Sequence, residues 1–149
     1  MAKAKKTSKK RVLFICTHNA CRSQMAEGLL RLRYGDRYEV FSAGTSPSRV
    51  NPWAIRVMAE LDNDISSQVS NHVEEYIGEP FDVVVTTCDT ARETCPAFPG
   101  AAKVIHRSFE DPAGTAGSKE KILAAFRKVR DEIDGWIQDN FGPNATLQE

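Results

Sequence analysis

The sequence predicts an α/β domain of three layers, a four-stranded parallel sheet with helices on both faces. Three observations predict it. Strand-like apolar runs alternate with stretches of helical periodicity along the chain. Val83-Val84-Val85 is continuously β-branched, which suits a strand covered on both sides. The spacings between strands leave room for the helical crossovers that parallel neighbours need. The 149 residues suffice for one domain with a proper core and not for two ordinary ones. That domain is expected over residues 11–141, between a disordered basic tail (1–10) and a C-terminal tail (142–149).

Taken in order, Val12-Leu13-Phe14-Ile15 reads as a buried first strand. A first helix follows, with Met25, Leu29 and Leu32 at helical spacing, and ends near Tyr34-Gly35-Asp36. Tyr38 to Ser42 is rich in strand formers and is the second strand; Ala43-Gly44 ends it. Asn51-Pro52 starts a second helix, Asn as cap and Pro at the first helical position, with Ile55, Met58 and Leu61 as its buried face. Val73, Tyr76 and Ile77 suit a short helix stopped by Gly78-Glu79-Pro80. The valine run is the third strand. A short helix is expected after Cys88 through Thr94, and Pro96, Pro99 and Gly100 break the chain. Lys103 to His106 is the fourth strand. The last helix begins near Ser118 and buries Ile122, Phe126, Val129, Ile133 and Trp136 or Ile137, ending from Asn140 onward.

The first strand runs straight into Cys16-Thr17-His18-Asn19-Ala20-Cys21-Arg22-Ser23, and a helix leaves it. Free backbone N–H groups and a positive dipole end make such a turn an anion site. A helix N-terminus beside an Arg favours a thiolate, so Cys16 is expected as a nucleophile. Arg22 offers a planar fork for two oxygens of a tetrahedral oxyanion, and Ser23 a hydroxyl for the sulfur. In parallel α/β sheets ligands sit at the carboxyl ends of strands. Cys16, Cys88 and Asp111 each follow a strand and are expected at one crevice.

Cysteine, five residues, Arg and Ser between a strand and a helix resembles the low-molecular-weight tyrosine phosphatases. With Gln24-Met25-Ala26-Glu27-Gly28 after it, the stretch is similar to the thioredoxin-coupled arsenate reductases on the same flavodoxin-like fold. The likeness continues through Val83-Val84-Val85-Thr86-Thr87-Cys88, then Cys95-Pro96, and covers nearly all the chain after the basic tail. His18 departs from it, standing where those families usually carry Gly. A left-handed backbone is therefore expected at a His, which tolerates it less well than Gly.

A phosphatase needs one cysteine, whereas reducing arsenate takes two electrons, which two thiols supply by becoming a disulfide. The resemblance implies that Cys16 attacks arsenate, Cys88 attacks Cys16, and Cys95 attacks Cys88 to carry the disulfide outward to reduced thioredoxin. Seven positions along a helix span about 10 Å, and a disulfide needs Cα atoms about 4.4–6.8 Å apart. The segment from Cys88 to about Pro99 is therefore expected to be mobile. Asp111, before Pro112, is implied as the general acid. Cys21 is expected to be structural, or a backup resolving thiol as in some phosphatases. The resemblance also implies a potassium ion behind the loop on Asn19, Glu27 and Ser42; Asn71 stands at the family's acidic fourth position, which implies weaker cation binding. No tightly bound cofactor is otherwise implied.

Composition excludes other classes. Formal net charge is zero, so no general affinity for nucleic acid is indicated, and the Lys-rich start reads as a solubilising arm. No apolar run approaches the roughly 18 residues of a membrane helix. Four cysteines without a secretion signal point to reduced thiols in a cytoplasm, and their spacing is not that of a zinc site. His72 and His106 have no assignable partner; Trp53 and Trp136 read as packing residues. The predicted activity is arsenate reduction, with phosphate or sulfate as competing anions. A tyrosine phosphatase is the first rival, disfavoured because Ala113-Gly114-Thr115 follows Asp111-Pro112 without an aromatic grip. A non-catalytic redox or anion sensor is the second.

Overall fold

The computed structural model describes residues 9–143 and 145. Most of both expected tails lies outside the described residues. The elements are β1 (Lys10–Cys16), α1 (Arg22–Tyr34), β2 (Tyr38–Gly44), α2 (Pro52–Ala59), β3 (Phe81–Thr86), α3 (Asp89–Thr94), β4 (Ala101–His106) and α4 (Lys119–Phe141). Two 3-10 turns, Val73–Tyr76 and Pro112–Gly114, complete the order. The sheet is parallel with order β2-β1-β3-β4, so β1 and β3 are central.

Alternation along β1 divides the core. Val12 and Phe14 face a large cluster with Met25, Leu29 and Leu30 of α1, Val57 and Met58 of α2, and Phe126, Val129 and Ile133 of α4. Leu13 and Ile15 face a smaller cluster with Val73, Ala91 and Phe98. All four of these β1 side chains are buried, which is why the run carries no polar alternation. β4 is an edge strand, and its Val104 is 62% exposed.

Caps behave as their chemistry requires. Asn51 accepts the N–H of Trp53 at 2.8 Å, with Pro52 opening α2. Ser118 caps α4 through the N–H of Lys121. The segment around Val73 is a single 3-10 turn, and His72 is its capping residue, accepting the N–H of Glu74.

Three expectations need correction. Leu32 is 43% exposed, and Leu30 is buried instead. The first two turns of α1, Ser23 to Leu30, are buried as a block, while Arg31 to Arg33 project into solvent. Burial in α1 follows position along the axis more than a single face. In α2 the buried side chains are Ala54, Val57 and Met58, with Ile55 and Leu61 only half-buried, because the helix packs on α4 through a face one position away. Strand β1 begins at Lys10, pairing with Tyr38, one residue before the expected start of the domain.

Candidate active site

The parallel order brings the carboxyl ends of β1 and β3 side by side, and a residue follows each with little slack. Thr87 donates its N–H and its hydroxyl to the carbonyl of Ile15, at 2.8 and 2.9 Å. The exit of β3 is thereby tied to the end of β1. Cys16 and Cys88 consequently emerge next to one another: the Cys88 Sγ is 3.3 Å from the Thr17 Oγ1.

The loop from Cys16 to Ser23 is a hydrogen-bonded shell around one sulfur. Cys16 Sγ accepts the Asn19 N–H at 3.2 Å and lies 2.9 Å from Ser23 Oγ. Ser23 Oγ itself accepts from Asn19 Nδ2 at 2.8 Å, which leaves its own hydrogen for the sulfur. The Asn19 amide also donates to Ser42 Oγ at 2.9 Å, and its Oδ1 accepts the Asn71 N–H at 2.8 Å. Asn19, not His18, holds the left-handed backbone, at φ 50°. Asn is among the residues that tolerate this region, and here its side chain is held at both ends. His18 is exposed at the cleft and contributes its carbonyl to the Ser48 N–H and Ser70 hydroxyl.

Two residues of this shell carried no signal as site residues in the sequence. Gly44 ends β2 against the loop, where a Cβ would stand 2.6 Å from the Thr17 carbonyl oxygen and 2.9 Å from the Asn19 nitrogen. Only glycine allows that approach. Gln24, fully buried, donates to the carbonyls of Asn19 and Val69.

A cleft of about 380 Å³ opens over the loop, lined by Thr17, His18, Arg22, Cys88, Asp89 and Asp111 among others. Cys88 and Asp111 meet there as expected; Cys16, 2% exposed, is buried beside Thr17. Arg22 donates from Nη1 to the Phe109 carbonyl at 3.2 Å, and its Nη2 is 3.5 Å from Asp111 Oδ2. Its buried Nε has no partner among the described residues. Such an orphaned donor costs about 1–3 kcal/mol, and an oxyanion in the cleft would supply the missing acceptor. Asp111 also caps the Pro112–Gly114 turn by accepting the Ala113 N–H.

The other thiols are set apart. Cys21 packs in the core, and burial first, then the charges of Asp111 and Cys16, push its thiol up to about 12. At neutral pH the thiol is therefore held protonated. Cys88 caps α3, its Sγ accepting the Ala91 N–H at 3.4 Å. Cys95 lies at the far end of α3 in a neighbouring cavity with Thr86, Phe98 and His106, and its Sγ donates to the Pro96 carbonyl. Burial raises its thiol above the ordinary value. Cys95 is therefore not brought to the cleft with Cys88. None of the four cysteines is paired, and among the described residues there is no cluster of metal-binding side chains.

Asn19, Glu27, Ser42 and Asn71 are brought together behind the loop, but their groups are engaged with each other. Ser42 donates to Glu27 Oε1 at 2.6 Å, and Asn71 Nδ2 donates to the carbonyls of Ser42 and Val69. Arg31 Nη2 holds Glu27 Oε2 at 2.6 Å. That guanidinium, on the solvent side of the set, puts a positive charge next to Glu27.

The comparisons agree with this geometry. Residues 11–147 match the family model described as low molecular weight phosphotyrosine protein phosphatase. An arsenate reductase of Halalkalibacterium halodurans is 44% identical over 126 residues, 85% of this chain and 91% of the relative. A solved structure described as an arsenate reductase in the phosphate binding state superposes with a TM-score of 0.75 at 34% identity, covering 87% of this chain and 94% of the other. The low molecular weight protein tyrosine phosphatase of T. tengcongensis superposes at 0.72 with 26% identity, covering 87% and 96%.

Proposed function

The chain belongs to the low molecular weight phosphotyrosine protein phosphatase family, beside the arsenate reductases within it, and from that premise we propose that it reduces arsenate to arsenite with its own thiols. The observation that carries this reading is Cys88: a second sulfur lines the anion cleft with Arg22 and Asp111 and touches the loop through Thr17. Hydrolysis of a phosphate ester has no use for it.

Arsenate enters as a tetrahedral oxyanion and is gripped by Arg22 and the loop amides. Cys16 sulfur attacks arsenic, and an As–O bond breaks; Asp111 gives the departing oxygen a proton, and water leaves. Cys88 sulfur then attacks Cys16 sulfur. The S–S bond forms, the S–As bond breaks, and its electron pair stays on arsenic. Arsenic(V) becomes arsenic(III), and the two sulfurs have lost two electrons. Cys95 next attacks Cys88, releasing Cys16 as a thiolate and leaving an 88–95 disulfide for reduced thioredoxin to open. A cascade that ends in a disulfide opened by a protein reductant fits a reducing, cytoplasmic setting, and no helix among the described residues is long and apolar enough to cross a membrane. A potassium ion, if bound, would sit on Asn19, Glu27, Ser42 and Asn71, where Arg31 already pairs with Glu27.

The test is arsenate-dependent NADPH oxidation with thioredoxin and its reductase, with glutaredoxin substituted as the control. Turnover with thioredoxin is expected. Hydrolysis of an aryl phosphate without any arsenate-dependent oxidation would leave the phosphatase reading in its place.

A further inference from the structure

Six residues separate Cys88 from Cys95, and all of them form α3. An 88–95 disulfide needs their Cα atoms about 4.4–6.8 Å apart, whereas seven helical steps span about 10 Å. α3 must unwind during the cascade, and must be wound before it for Cys88 to sit as its cap beside Thr17. Something has to hold it in the first state without locking it there.

His106 is placed for that. It ends β4, and its ring stands between two elements. Nδ1 is 2.8 Å from Thr86 Oγ1 on β3, and Nε2 is 2.9 Å from Oδ1 of Asp89, the first residue of α3. Thr86 is 4% exposed and fixed in the sheet by its neighbours. Asp89 is exposed over most of its side chain. The ring therefore ties an exposed residue at the start of α3 to one fixed in the sheet. With a proton on Nε2 it donates to the carboxylate, and the Thr86 hydroxyl donates to Nδ1, so both bonds form even on the neutral ring.

We propose that His106 is a positioning residue which clamps Asp89, keeping α3 wound and Cys88 at the cleft until the 16–88 disulfide exists. The inference rests on the reductase reading for its catalytic consequence. His106 stands outside the anion cleft, while Asp89 also lines it, so the clamp reaches the site through Asp89 alone. An exposed charge-assisted pair is weak enough to open thermally and strong enough to bias the helix. When it opens, the Cys95 thiolate reaches Cys88. The S88–S95 bond forms as the S16–S88 bond breaks, the electron pair leaves on Cys16, and the two-electron oxidation is conserved.

The test uses the full chain with His106→Phe, Asp89→Ala and the double variant. In the reduced proteins, amide exchange of residues 89–94 is expected to quicken about fivefold in each single variant, and no further in the double. In arsenate reactions quenched with acid and mapped for disulfides, 16–88 formation slows while transfer from 16–88 to 88–95 quickens. General damage to the fold would slow both. Asp89→Ala alters an exposed side chain and serves where His106→Phe folds poorly; because Asp89 also lines the anion cleft, its clamp effect is read from the amide exchange and the transfer step. Unchanged exchange in α3, additive effects in the double variant, or both steps slowing together would overturn the clamp. Wild-type protein that makes no 16–88 disulfide with arsenate would overturn the reductase reading while leaving the exchange result to judge the clamp.

Discussion

Two segments of this molecule are made from the same parts, a strand end, a cysteine and a helix, and are anchored very differently. After β1 the chain turns through Asn19, whose side chain reaches Ser23, Ser42 and Asn71, and enters α1, which buries eight residues from Ser23 to Leu30. After β3 it passes Cys88 into α3, which buries Ala91 alone. Burying a side chain such as Met25, Leu29 or Leu30 contributes about 1.5–3 kcal/mol; an alanine contributes little. The first segment is built to keep donors fixed around a sulfur. The second is held by a cap, one hydrogen-bonded histidine and a few helical bonds, and so can change shape at small cost. A nucleophile that meets a transition state needs the first kind of support, and a thiol that must travel needs the second.

The sharpest break between the segments comes from removing their sulfurs. Cys16→Ser is expected to abolish both arsenite release and any slow aryl phosphate hydrolysis, because both begin at that sulfur. Cys88→Ser is expected to abolish only the first. Measuring both activities in both variants decides the matter, since equal loss in Cys88→Ser would mean that α3 supports the loop and carries no electrons.

Asn19→Ala tests the rigid side. It removes the donors to Ser23 and Ser42 and the acceptor for Asn71, and leaves alanine at φ 50°. Buried groups without partners and a strained backbone together cost about 3 kcal/mol or more. A clear fall in the denaturant midpoint is expected, with loss of both activities because Ser23 is no longer aimed at Cys16. A variant of wild-type stability would show that the loop is held some other way.

How much of this was legible in the sequence differs between the two segments for the same reason. The residues of the anion loop lie together in the chain and follow a strand, so Cys16, Arg22 and Ser23 announce themselves. Their supports do not. Gly44, Gln24 and Arg31 act across the fold, and nothing local marks a glycine that a carbonyl oxygen approaches to within 2.6 Å of where a Cβ would be. The left-handed position was expected at His18 because only the residue type was visible; the side-chain bonds that stabilise it belong to Asn19. Helical spacing alone put Leu32 in the core, but the helix leaves the core after Leu30. His106 looked solitary because its partners, Thr86 and Asp89, lie on other elements.

The mobile side responds to pH through Cys95. Burial raises its thiol above the ordinary value, so the attacking thiolate is scarce at neutral pH. Below its pKa that fraction grows about tenfold with each pH unit. Transfer from the 16–88 to the 88–95 disulfide is therefore expected to go on accelerating past about pH 8.5, where an ordinary thiol begins to level off. Quenched-flow trapping of the two disulfides across that range gives the curve, and a plateau on the acid side of it would mean that Cys95 is unburied when it attacks. Cys21, at about 12, contributes nothing to this curve.

The gentlest probe loosens α3 without touching sulfur, clamp or cleft. Glu93 is an exposed residue inside the helix, and none of its atoms is needed by the cascade as drawn. Glu93→Gly costs a helix interior about 0.5–1 kcal/mol through backbone entropy. The global denaturant midpoint is expected to shift by less than that, because α3 contributes so little burial to the fold as a whole. If unwinding limits the transfer to Cys95, the same small cost lowers the barrier, and the 88–95 disulfide forms faster by about twofold to fivefold. A loosened loop slows everything that follows, but a loosened α3 is expected to quicken one step. Slower 88–95 formation in Glu93→Gly would mean that the wound helix itself guides Cys95, and that both cysteine segments are rigid by design.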